Sequence, residues 1–124
     1  MSEEANTPMS MNGDGLALYL DRSEVLVATV AQLRKDLALS EAELPDIALG
    51  EEAFEVLRAG VLARLVELEK GSGNALQAAM YRVDIPEGHL RRTLYAGGLN
   101  ALAGECVLRA LQKVLTRLRF AGRF

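Results

Sequence analysis

Residues Gly98–Phe120 read GLNALAGECVLRALQKVLTRLRF, the longest helix-compatible run in the chain. At about 100° per residue, Leu99, Cys106, Val107, Ala110, Leu111, Val114, Leu115 and Leu118 sweep roughly half the circumference or more. Glu105, Arg109, Gln112, Lys113 and Thr116 share the remaining strip. A helix at a protein surface shows one apolar stripe. This wider arc calls for cover from two sides, so the run is expected at the centre of a helical bundle. Leu108 and Leu115 mark the far edge of the arc, where a second copy of the chain could pack.

The elements before this run are read by the same periodicity. Pro86–Ala96 forms a helix with Leu90 and Leu94 inward, opened by a proline beside an acid. Gly97-Gly98 then predicts a kink or break. Unbroken, residues 86–120 would make a rod of about 52 Å, longer than any partner helix in the chain. Ala75–Arg82 is a short helix with Leu76 and Met80 inward, after a tight turn at Ser72-Gly73-Asn74. Glu51–Lys70 is a longer one, buried through Phe54, Leu57, Val61, Leu65 and Leu68. Its acids at the start and lysine at the end suit the helix dipole, and Gly71 terminates it. Ala59, Gly60 and Ala63 form a small-residue patch that admits another backbone. Leu16–Leu39 reads as the first helix, with a possible restart at Ser23 as N-cap. Between them, Ser40–Gly50 is a connector that Pro45 keeps from being regular helix, anchored by Leu44, Ile47 and Leu49.

The expected fold is therefore all-α: a single-domain bundle of four to five helices over residues 14–124, with a long, largely buried C-terminal helix. Residues 1–13 are polar and aperiodic and read as a flexible tail. Asn12-Gly13-Asp14-Gly15 opens like a calcium loop but lacks the alternating ligands and closing Glu, which leaves Asp14 as an N-cap. A chain of 124 residues buries about two-thirds of its unfolded surface, enough to fold without metal or disulfides. The single cysteine, Cys106, makes no internal disulfide. With an acidic start and no signal-peptide core, a reducing cytoplasm is the expected compartment. No uncharged run reaches the ~20 residues of a membrane span.

Several chemistries lack their residues. His89 is the only histidine and Cys106 the only cysteine, and they sit on different helices. Nucleophilic catalysis through a histidine base has no visible set. Glu-x-x-His pairs, zinc ligand sets and phosphate-cradling glycine loops are missing. An enzyme is not expected, and neither is a cofactor or metal.

Charge offers more. Residues 1–69 carry a balance of −9 and residues 70–124 a balance of +6, within a net charge of −3. The halves pair either within one chain or between chains. Arg109, Lys113 and Arg117 line one face of the central helix at i, i+4, i+8, and Arg119 extends them. They form a candidate docking strip for an acidic protein partner, a second copy included. The leading expectation is thus a non-enzymatic protein that acts through helix-mediated contacts, as a scaffold, adaptor or self-assembling subunit.

A second reading comes from Leu76–Tyr95, LQAAMYRVDIPEGHLRRTLY. A short helix, a brief turn and a helix with polar residues near its start resemble a helix-turn-helix nucleic-acid reader. The resemblance implies that His89, Arg91, Arg92 and Thr93 would face the major groove. Arg82 stands where such a turn usually carries Gly, and Gly88 weakens the recognition helix.

Overall fold

The computed structural model describes residues 13–122, so the expected tail lies almost wholly outside the described residues. A short α1 (Gly13–Ala17) runs into a 3-10 turn (Leu18–Asp21). Then come α2 (Ser23–Leu37), α3 (Ala53–Lys70), α4 (Ala75–Val83) and α5 (Glu87–Phe120). The fold is all-α, a single domain, with no strand among the described residues.

The expected first helix is two. Arg22 takes an extended conformation (φ −94°, ψ 127°) and caps α2, so the restart is real and Ser23 is the first helical residue rather than the cap. The break turns Leu16, Leu20, Val25 and Leu26 together into the core, which one straight helix could not do. Asp14, expected as an N-cap, lies inside α1. At its other end α2 stops on Ala38 in the left-handed region, with Leu39 N–H returning to the Arg34 carbonyl at 2.9 Å. A single helical turn follows. Ser40 N–H donates to Glu43 at 2.8 Å, and Glu43 N–H donates to the Ser40 hydroxyl at 3.1 Å. This is a reciprocal capping box inside what reads as plain connector.

Leu44 is the connector's main anchor. A Cβ at Gly60 would lie 2.6 Å from its side chain, so the small-residue patch on α3 admits Leu44 and not another helix. Arg34 and Arg64 tie the same segment down through the carbonyls of Leu44 (2.8 Å) and Ala38 (2.6 Å). Ile47 is half-buried, but Leu49, expected as an anchor, stays half exposed.

The decisive element is α5. At Gly98 the backbone leaves the helix (φ 71°, ψ −163°), a conformation L side chains rarely adopt. At Gly97 a Cβ would sit 2.6 Å from that of Ala101. One glycine supplies the turn and the other its clearance. The result is more than a kink. His89 Nε2 lies 3.1 Å from Glu105 Oε1, 16 residues on, where a straight helix would hold them about 24 Å apart. Residues 87–97 and 99–120 are two arms folded against each other, so no rod projects from the bundle.

The second arm occupies the centre, as its apolar arc requires. Leu102, Ala103, Cys106, Val107, Ala110, Leu111 and Val114 are wholly buried. Phe54 and Arg58 of α3 cover Gly104, Met80 of α4 meets Cys106, and α2 packs alongside. The far edge of the arc is not free. Leu115 is buried and Leu108 packs against the core, so the chain itself provides the cover that could have come from a second copy. Among the described residues no helix is long and apolar enough to cross a membrane.

Candidate functional site

The basic strip of the second arm bonds to neighbouring elements of its own chain. Arg109 donates to the Asp84 carboxylate at 2.6 Å and to its carbonyl at 3.3 Å. One turn on, Lys113 donates to Asp36 at 2.8 Å and to the Arg82 carbonyl at 3.1 Å. A further turn on, Arg117 donates to Gln32 at 2.7 Å. The i, i+4, i+8 spacing therefore builds a zipper that joins α5 to α2 and to the α4–α5 turn. Its middle rung is the most enclosed: Asp36 is buried and also accepts from the Gln32 amide at 3.0 and 3.1 Å. Here the acidic and basic halves pair within one chain. Arg119, at the exposed end of the strip, makes no such contact among the described residues.

The Leu76–Tyr95 segment does form helix, turn and helix. Asp84 is the left-handed residue of the turn (φ 78°), two positions beyond the Arg82 at which a glycine was missed. Asp tolerates that conformation better than most residues. Ile85 N–H reaches back to the Met80 carbonyl at 2.9 Å and its side chain is buried, which closes α4 in the Schellman manner. Three of the four expected readers, His89, Arg92 and Thr93, line one open hollow of about 360 Å³ with Gly97, Ala101 and Glu105, and Arg91 is not part of that lining. His89 turns toward Glu105, Arg91 pairs with Glu87 at 2.9 Å, and Thr93 is half-buried. Arg92 is exposed and makes no side-chain hydrogen bond or ion pair among the described residues.

Sequence reading did not single out two of the side chains that are presented, Tyr81 and Tyr95. Between α4 and the first arm of α5 lies a groove of about 550 Å³, lined by Asn74, Gln77, Ala78, Tyr81, Pro86, Glu87 and Leu90, among others. Tyr81 stands over it 86% exposed. Glu87, Arg91 and Tyr95 follow at intervals of four along the first arm, hence on one face, and Tyr95 is 96% exposed. A polar-rimmed flank with two exposed aromatic rings results. The available signal was the pair of tyrosines at positions where the 3.6-residue period points away from the core.

Reactive chemistry has little to work with. Burial pushes the Cys106 thiol up to about 12, and its Sγ lies 3.7 Å from the Met80 thioether, so it packs as a small apolar group. No cluster of three or more His, Cys, Asp or Glu that could hold a metal ion occurs among the described residues. No family model matches the chain, nor does any curated protein or solved structure.

Proposed function

We propose that this chain is a non-enzymatic helical module that works by holding a protein partner against its surface. The observation that carries the reading is the flank of α4 and the first arm of α5, where Tyr81 and Tyr95 stand almost fully exposed beside Glu87 and Arg91. Tyrosine and arginine are enriched at protein interfaces and at their energetic centres. A tyrosine brings large contact area at little cost in side-chain freedom. The basic strip also considered for this work pairs with Asp84, Asp36 and Gln32 of its own chain.

The test is photo-crosslinking in cells that express the protein. A benzophenone side chain is placed at Tyr81, at Tyr95 and, as a control, at exposed Lys35. One discrete protein adduct from positions 81 and 95, and none from 35, is the expected outcome. Adducts to nucleic acid in place of protein would favour a nucleic-acid reader. Equal, diffuse labelling at all three positions would sink the proposal.

A further inference from the structure

The connector and the start of α3 hold a charge excess that the bundle does not neutralise. Residues 38–57 contain the carboxylates Glu41, Glu43, Asp46, Glu51, Glu52 and Glu55 and no Lys or Arg. Arg64, Arg34 and Arg58 pair with Glu43, Asp46 and Glu55. Glu41, Glu51 and Glu52 are exposed and make no ion pair among the described residues. Three of these acids, Asp46, Glu51 and Glu52, line an open groove of about 600 Å³ together with Pro45, Ile47, Leu49 and Val56. Leu49 and Val56 remain 50% and 45% exposed there. An apolar floor with an acidic rim fits a ligand that is aromatic or aliphatic at its centre and cationic at its edge.

The far end of α5 has that chemistry. After Glu105 the sequence carries no Asp or Glu, and its cations Arg109, Lys113 and Arg117 are engaged by Asp84, Asp36 and Gln32. Arg119 is exposed, and beside it Phe120 is 84% exposed at the last turn. Among the described residues one chain thus leaves an acidic apolar groove unfilled and a basic aromatic end without a contact, and the two do not meet within it. We propose that the groove at residues 45–56 receives the Arg119–Phe120 end of a second copy of this chain. Phe120 sits on Leu49 and Val56, and Arg119 faces Glu51 and Glu52. The contact joins two different patches. It closes into a dimer if each copy serves both roles reciprocally, and extends head to tail otherwise. This contact is separate from the tyrosine flank, which stays open in the assembly.

Sedimentation and light scattering of the full chain over a concentration series test it. The expected result is a mass that rises above the 13.4 kDa of one chain with concentration and falls with added salt. Phe120→Ser, Glu51→Arg with Glu52→Arg, and Arg119→Glu should each weaken association about tenfold or more, since like charges brought together oppose docking. Joining the Glu51→Arg, Glu52→Arg and Arg119→Glu changes in one chain should restore it. All four positions are exposed, and circular dichroism confirms that each variant is folded. A wild-type mass that stays at one chain overturns the contact, as does association that the reversals leave unchanged or that the combined reversal does not recover. A monomer that still gives the crosslinked adduct from position 81 would remove this contact and leave the tyrosine-flank reading standing.

Discussion

Replacing Lys113 by methionine removes the ammonium that neutralises Asp36 and keeps most of the side chain's apolar length. The pair lies 2.8 Å apart, with the Asp36 side chain 8% exposed and that of Lys113 20%. Asp36 retains the Gln32 amide, while Arg82 bonds only its backbone carbonyl. The carboxylate would be left buried without a countercharge. Breaking a fully buried pair costs about 3–5 kcal/mol, and the partial opening at Lys113 lowers the expectation to about 2–3 kcal/mol. Asp36→Leu should cost less, about 1–2 kcal/mol, because the long lysine can turn its head to water. The double variant leaves two apolar groups facing each other and one amide short of a partner, about 1–2 kcal/mol. The coupling between the two sites then comes to about 2 kcal/mol. Urea unfolding of the four proteins at neutral pH measures it. A coupling below about 0.5 kcal/mol is what a solvent-screened surface pair gives. That result would refute the enclosed zipper and free the basic strip for an outside partner.

Other outcomes follow from single residues. Gly98→Ala meets no atom within 4 Å, so its cost is backbone alone, about 1–3 kcal/mol, or roughly 4–12 °C in Tm; a D-alanine there should recover most of it. The Glu43 carboxyl lies below its ordinary 4.5, chiefly because the Ser40 backbone N–H donates to it; desolvation opposes this, and the Ser40 hydroxyl and Arg64 add lesser lowering effects. A lowered folded value means that the charged form's contribution is complete above 4.5 and is lost as pH falls through the folded value. Chemical melts should therefore show wild type ahead of Glu43→Gln at neutral pH, with the difference closing in acid. The Cys106 thiol, held up to about 12 by burial, should resist a disulfide reagent at pH 8 in the native protein and react at once in denaturant.

The sequence was most readable where one periodicity sufficed. The arc of the second arm and the stripe of α3 follow from spacing alone, because their neighbours must be apolar whatever they are. Gly97-Gly98 signalled an interruption, yet glycine permits many conformations. That the arms fold back is decided by packing of the first arm on the second, which no local pattern records. The restart at Arg22 has no glycine or proline to announce it, and arises because residues on both sides are drawn into one core. The capping box at Ser40–Glu43 was legible as S-x-x-E.

The candidate site was less accessible for a different reason. The charge split was plain, but which groups meet was not. Lys113 finds Asp36 across 77 residues and Arg117 finds Gln32 across 85. A strip at i, i+4, i+8 looks the same whether it faces solvent or a neighbouring helix. The exposed tyrosines carried a signal in the 3.6-residue period, but nothing local set them apart from other solvent-facing positions.

Which residues are engaged and which are presented follows from the fold-back at Gly98. The chain has no tryptophan, so one introduced at position 105 reports on a bimane label attached through a cysteine at position 89, with the buried native thiol unreactive. Contact quenching of the label in the native protein, relieved in denaturant, is the result expected for arms that bring His89 within 3.1 Å of Glu105. Unquenched fluorescence in the native protein would place the two sites about 24 Å apart on a straight helix. It would contradict both the bundle's closure and the assignment of its free surfaces.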